Sequence, residues 1–230
     1  MQDFERVGVC LIAKAVSPEH LMPLRKAVDS LVACSPGNRI FKLPKPCARI
    51  PDVGAILTAT ATRLSGRHAR IVRILAFDKT PAANWGVPWH QDRTIAVAKR
   101  VETTGYGPWT VKGGVPHVEP PQAVLEAMFS LRLHLDDCGE TNGPLRIIPG
   151  SHRLGRLSAG QVLDVAMRTP AMICTAGAGD VLAMQALTIH SSEPAHSPAH
   201  RRVLHLDFAT ADLPAPLEWA VGTDQPAESS

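Results

Sequence analysis

Two kinds of hydrophobic pattern divide the chain. Early on the apolar positions follow a helical period: Leu21, Leu24, Val28, Leu31 and Val32 share one face, behind the start signal Ser17-Pro18-Glu19. Pro23 sits inside this stretch, so the helix either kinks there or begins later than Ser17 suggests. Ser35-Pro36-Gly37-Asn38 ends it, residues 42–50 read as irregular, and residues 52–64 predict a second helix closed by Ser65-Gly66. Ahead of both helices, residues 7–13 form a short apolar run that predicts a strand. From residue 71 the character changes. Short β-rich runs appear at residues 71–77, 88–97, 124–135, 146–148, 171–174, 180–187 and 202–208. Turn signals separate them: Thr141-Asn142-Gly143, Pro149-Gly150-Ser151 and Gly177-Ala178-Gly179. Residues 154–168 read as a polar connection with some helix, and residues 100–121 as a long loop between two strands. Helices first and many short strands afterwards predict a mainly β fold with flanking helices, a sandwich or jelly roll with helices on one side. A single domain covers residues 1–230, with a helical part over about 1–66 and a β core over about 67–212.

Composition narrows the function classes. A formal net charge of +3, with no run of Lys or Arg, excludes an electrostatic nucleic-acid binder. The five cysteines, Cys10, Cys34, Cys47, Cys138 and Cys174, are scattered and include no Cys-x-x-Cys, which argues against a zinc knuckle and a disulfide framework. Free buried thiols in a reducing compartment are expected. The N-terminus lacks the pattern of a signal peptide, and no apolar run is long enough for a membrane span. A soluble cytoplasmic chain acting on a small molecule is the expectation; its oligomeric state is open.

The chemistry gathers at three places. In Trp89-His90-Gln91-Asp92, strand alternation turns His90 and Asp92 to one side, about 7 Å apart along the strand, where both can grip one metal ion. A His-x-Asp pair by itself is also met on ordinary half-buried strands. His190 follows the apolar run 181–189 and supplies a second imidazole. Two imidazoles and a carboxylate suit Fe(II) and leave positions for O₂ and substrate, although zinc takes the same ligand types. Arg201, eleven residues later, can clamp a carboxylate if a hairpin returns it to the metal, with Ser192 adding a hydroxyl donor.

With these residues in hand, the chain resembles the phytanoyl-CoA dioxygenase family of Fe(II)/2-oxoglutarate oxygenases. The resemblance runs through Gly8-Val9, Ser17-Pro18-Glu19, Lys79-Thr80-Pro81 and Trp89-His90-Gln91-Asp92. It continues through Leu135-Asp136-Asp137, Asn142-Gly143-Pro144-Leu145, Ile148-Pro149-Gly150-Ser151-His152, Gly179-Asp180-Val181, His190-Ser191-Ser192 and Arg201. It implies a double-stranded β-helix (a cupin-like jelly roll). It also implies Fe(II) held by His90, Asp92 and His190, with 2-oxoglutarate bound by Arg201, Ser192 and Lys79, and O₂ as oxidant. The expected reaction oxidises a C–H bond of a small metabolite, by hydroxylation, with release of succinate and CO₂. Asp92 speaks against the halogenating variants, which lack that carboxylate. His152 is expected to be structural. A silent metabolite-binding member and a cupin-like enzyme using another divalent metal remain the alternatives.

One position departs from the family pattern. At Arg132 many relatives carry an apolar or aromatic residue. Alternation puts Arg132 on one face with Ser130 and His134, opposite Leu131, Leu133 and Leu135. If that face lines the barrel, the buried Arg needs a partner: the co-substrate, an anionic substrate, or an internal acid such as Asp207. Arg132, Lys112, Trp109 and His134 are therefore the candidate substrate contacts, with residues 100–121 as a lid over them.

Overall fold

The computed structural model describes residues 2–32, 39–40, 51–197 and 199–221. A short helix, α1 (Gln2–Val7), leads into strand β1 (Val9–Ile12), then helix α2 (Pro18–Val32), the short strand β2 (Arg39–Ile40) and helix α3 (Pro51–Ser65). Helix α2 runs through Pro23 without ending. Strands β3 (Arg70–Lys79), β4 (Val87–His90), β5 (Ile95–Ala96), β6 (Trp109–Lys112) and β7 (Val115–Val118) follow, then helix α4 (Gln122–Glu126) and strand β8 (Met128–His134). The last part holds β9 (Leu145–Ile147), a 3-10 turn at Ser151–Leu154, helix α5 (Ala159–Arg168), β10 (Met172–Cys174), β11 (Val181–Gln185), β12 (His190–Ser192) and β13 (Arg201–Ala209).

Strand order is β1-β11-β8-β13-β3-β2 in the large sheet and β10-β9-β12-β4 in the small one. These two antiparallel sheets are the walls of a jelly roll, with helices against one wall. The two-residue alternation of β8 and β13 decides which side chain meets which layer. Leu131 and Leu133 of β8 and Leu204, Leu206 and Phe208 of β13 face outward, where Leu24, Val28 and Leu57 of α2 and α3 cover them. Each such side chain taken out of water contributes about 1.5–3 kcal/mol. Ser130, Arg132 and His134, with Arg201, His205 and Asp207, take the alternate positions on these strands and are buried all the same. The expected boundary near residue 66 is not clean, because β1, from the helical part, is an edge strand of the large sheet and pairs with β11.

One expectation is corrected. Residues 100–121 are not one long loop. β6 and β7 form a hairpin, and β5 pairs with β7 to make a third small sheet. The reason is local: Gly113 and Gly114 both take positive φ, 55° and 78°, as a two-residue hairpin turn requires. The connection 154–168, read as carrying some helix, holds α5, started by a capping box in which Ser158 and Gln161 satisfy each other's backbone N–H groups. Cys10, Cys138 and Cys174 are free thiols, while Cys34 and Cys47 lie outside the described residues. Among the described residues no helix is long and apolar enough to cross a membrane.

Candidate active site

His90 is the last residue of β4, and its partner across the sheet on β12 is His190. The two rings lie 4.1 Å apart between centroids, tilted by 52°. The strand was expected to carry Asp92 as well, but it stops at His90. Asp92 reaches the same point because Gln91 is pinned the other way. The Gln91 amide donates to the carbonyls of Gly155 (2.9 Å) and Leu187 (2.7 Å) and accepts from the Leu157 N–H (2.9 Å). Gln91 is the positioning residue that the sequence motif contains but that alternation alone passes over.

The donor atoms converge. His90 Nε2 lies 4.0 Å from Asp92 Oδ1, and His190 Nε2 lies 3.8 Å from Asp92 Oδ2. One ligand atom from each residue falls within 4.8 Å of the others. Each imidazole donates its Nδ1–H to a backbone carbonyl, His90 to Pro88 and His190 to Thr188, both at 2.8 Å. That fixes the tautomer and leaves both Nε2 lone pairs free for a cation. Burial pushes the His190 pKa down to about 4, so the ring is neutral and able to ligate at ordinary pH. Burial works to raise the Asp92 pKa, but His190, Arg73, His90 and His205 outweigh it and hold the carboxyl well below its usual range. The trio therefore offers two imidazole Nε2 atoms and one carboxylate, a donor set that fits a divalent transition metal.

These residues line a cavity of about 400 Å³ between the two sheets, shared with Arg201, Ser192, Arg132 and Lys112. Arg201 does not return by a hairpin: β12 belongs to the small sheet and β13 to the large one, so the chain crosses between walls and still reaches the same space. Arg201 is buried, 2% exposed. Its backbone N–H donates to Asp78 at 3.0 Å, its Nη1 donates to the Gly143 carbonyl, and its Nε has no partner among the described residues. Gly143 has a φ of +59°, and a Cβ there would come within 2.8 Å of the Glu193 carbonyl oxygen. The turn that supplies the acceptor for Arg201 therefore needs glycine.

Other expected contacts are placed differently. Lys79 is fully buried behind the cavity wall, where its ammonium donates to Ser192 Oγ (3.2 Å) and the Glu193 carbonyl (2.9 Å). It supports Ser192 from behind. Trp109 does not line the cavity. It packs with the cluster of Val118, Ile95 and Trp219, with the Arg100 guanidinium 5.5 Å from its ring. His134 is also off the cavity, buried with neither ring nitrogen bonded among the described residues, and burial with Arg132 and Arg201 nearby brings its pKa down to about 3. Lys112 and Arg132 do line the cavity. His152 is tied to α1 by a contact between Nε2 and the Glu5 carbonyl (2.9 Å), consistent with a structural role.

The family model described as Phytanoyl-CoA dioxygenase (PhyH) matches residues 4–203. No curated protein matches the chain by sequence. Among solved structures, AviO1 from Streptomyces viridochromogenes Tue57 is 19% identical, with a TM-score of 0.68 over 94% of this chain and 96% of that one. HygX from Streptomyces hygroscopicus, with nickel and 2-oxoglutarate bound, is 13% identical, with a TM-score of 0.66 over 90% and 84%. EctD from S. alaskensis, with 2-oxoglutarate and 5-hydroxyectoine, is 19% identical, with a TM-score of 0.66 over 91% and 74%. At these identities the structures speak for a shared jelly-roll fold. With the family model spanning most of its length, the chain belongs to the phytanoyl-CoA dioxygenase family.

Proposed function

We propose that the protein is an Fe(II)- and 2-oxoglutarate-dependent oxygenase that hydroxylates a C–H bond of a small metabolite in the cytoplasm. The observation that carries this reading is the shared cavity. It has three convergent metal donors, the two imidazoles with their outer nitrogens already bonded, and a buried guanidinium with an unused donor. His90, Asp92 and His190 would hold the iron, and Arg201 with Ser192 the far carboxylate of 2-oxoglutarate. Bound there, the iron and 2-oxoglutarate supply O₂ activation coupled to decarboxylation of the co-substrate to succinate and CO₂. The protein's part is to bind and orient. Gln91 keeps Asp92 turned to the metal position, Lys79 holds the Ser192 hydroxyl, and the β6–β7 hairpin brings Lys112 over the cavity. The nickel and 2-oxoglutarate found in HygX and the 2-oxoglutarate found in EctD support the reading, as do the free thiols for a reducing compartment.

The test is succinate formation from 2-oxoglutarate with Fe(II), ascorbate and O₂. It is expected with Fe(II) and not with Zn(II) or Mn(II) alone. Failure of 2-oxoglutarate to bind the metal-loaded protein would sink the proposal. A narrower prediction concerns Gln91. Gln91→Leu removes two buried hydrogen bonds and one partly buried one and leaves their backbone partners unsatisfied, which costs about 1–3 kcal/mol each where no water replaces them. Asp92 then loses its fixed direction, and metal affinity is expected to fall about 10–100-fold. A metal titration beside a thermal melt checks this; undiminished affinity would mean that Asp92 is oriented by other contacts.

A further inference from the structure

We propose that the cavity contains a second anion subsite, built on Arg132 and Lys112, that receives an oxyanion of the substrate, a carboxylate or a phosphate monoester. The proposal rests on the reading above, in which Arg201 is taken by 2-oxoglutarate.

Arg132 is held in place by a directed chain of polar side chains. Its Nη1 donates to His205 Nδ1 at 2.8 Å. His205 Nε2 contacts Asp207 Oδ1 at 2.8 Å, and the other Asp207 oxygen accepts from Arg73 Nε. A guanidinium only donates and a carboxylate only accepts. His205 must therefore accept at Nδ1 and donate from Nε2. The ring is neutral in this arrangement and passes no negative charge to Arg132. The one carboxylate in the chain, Asp207, is already in contact with Arg73 and His205.

Arg132 thus lies 93% buried with a neutral ring as its hydrogen-bond partner and no contacting carboxylate among the described residues. Its Nε–H is buried without an acceptor. Phe77 lies under the guanidinium, 5.2 Å to the ring centroid, and supplies only its π face. Burial, with Arg201 nearby, lowers the Arg132 pKa to about 10, which still leaves a cation at neutral pH. A buried charge of this kind calls for an anion. An oxyanion on the cavity side of the guanidinium would answer the charge through charge-assisted hydrogen bonds. Lys112 supplies the second cation. It lines the same cavity, and its ammonium donates to the Thr94 hydroxyl at 3.0 Å, another neutral partner.

The charge balance of the lining agrees. Arg73, Arg93, Lys112, Arg132 and Arg201 face the cavity against the single carboxylate of Asp92. Asp207 answers Arg73, and Glu119 answers Arg93 while also meeting Arg156. A divalent metal and doubly charged 2-oxoglutarate would cancel each other and leave the excess positive charge standing. Arg201 and Arg132 are rooted at different places on the wall, although their guanidinium groups are near enough for Arg201 to lower the Arg132 pKa. Arg132 sits opposite His205 in the β13 register, four residues, or roughly 13 Å of strand, from Arg201.

The experiment uses the full chain loaded with Mn(II) and N-oxalylglycine, an unreactive 2-oxoglutarate analogue. Binding of benzoate, phenyl phosphate and benzamide is followed by ligand NMR relaxation near the paramagnetic ion. At least one anion is expected to bind about tenfold or more tighter than the neutral amide, and the tighter of the two names the substrate's group. Arg132→Leu and Lys112→Met should each erase most of that preference while N-oxalylglycine affinity stays within about twofold. Where Arg132→Leu fails to fold, Arg132→Lys with Lys112→Met decides. Equal binding of amide and anions, no binding of any probe, or a preference that survives both substitutions would overturn the subsite. So would loss of N-oxalylglycine in Arg132→Leu, which would place Arg132 with the co-substrate. If wild type binds neither N-oxalylglycine nor 2-oxoglutarate, the co-substrate reading falls, and this inference with it.

Discussion

His190→Ala is expected to abolish succinate release and to weaken Fe(II) binding by more than about 100-fold, beyond the loss seen when only an outer partner of a ligand is removed. His190 is 5% exposed and sits in register with His90, and its Nε2 lies 3.8 Å from Asp92. The cavity-lining His205 cannot replace it, because it already uses both nitrogens, on Arg132 and Asp207. The fold should survive. The residues that pack the sheet against the helices, such as Leu133, Leu204 and Leu57, lie on the other face of the large sheet and do not touch the site. His90→Ala and Asp92→Ala should behave alike in turnover. His90 loses one partly exposed hydrogen bond, to Pro88, so its stability cost is about 1 kcal/mol. Metal titration, succinate assay and thermal melt, run on all three variants, separate loss of the site from loss of the fold. Iron-dependent turnover retained in any one of them would refute the ligand set.

Much of this site is legible in residue order because a β wall translates alternation directly into facing. The interior positions of β8 and β13 follow from counting by two, and so does the opposite orientation of Arg201 and Arg202. What alternation misses lies where the strand ends. Asp92 stands beyond β4, and its direction comes from Gln91 bonding to Gly155, Leu157 and Leu187, residues 64 or more positions away in sequence. Distant partners of this kind leave no local pattern. Trp109 was expected over the cavity because aromatics in a long loop suggest a lid; its ring instead closes the small cluster around Val118 and Trp219. The hairpin that carries it was legible in Gly113-Gly114, a pair that suits a tight two-residue turn. The helix at 159–168 was likewise signalled by Ser158 and Gln161 at capping-box spacing. Arg132 is the intermediate case. Alternation turned it inward and left its partner open among the co-substrate, an anionic substrate and an internal acid such as Asp207; the intervening His205, a neutral partner between Arg132 and Asp207, appears only in three dimensions.

Arg201→Ala is expected to raise the Michaelis constant for 2-oxoglutarate by about 30-fold to several thousand-fold, corresponding to the ~2–5 kcal/mol lost when a buried charge pair is broken from one side. The neighbouring residue serves as the control. Arg202 takes the next position on β13, on the opposite face. There its Nε donates to Asp29 at 2.6 Å and its Nη1 to Asp136 at 3.0 Å, fastening the strand to α2. The Asp29 pair is partly exposed, with Asp29 at 47% side-chain accessibility, and Asp136 keeps Arg25 as a partner, so the loss should cost about 1 kcal/mol and leave the Michaelis constant within about twofold. Arg201 has the reverse profile. Its guanidinium makes no ion pair among the described residues; the Gly143 carbonyl is its acceptor, and Nε has none. Removing it therefore breaks few contacts within the chain. Burial also works against its charge, with the Cys138 thiol and Asp78 as the opposing influences. A charge kept there without a carboxylate in contact has its use in the ligand. Arg201→Ala should consequently melt close to wild type without 2-oxoglutarate and lose the stabilisation that wild type gains when it is added. If Arg202→Ala proves the damaging change for 2-oxoglutarate and Arg201→Ala the neutral one, the facing of β13, and with it the assignment of the co-substrate end of the cavity, is wrong.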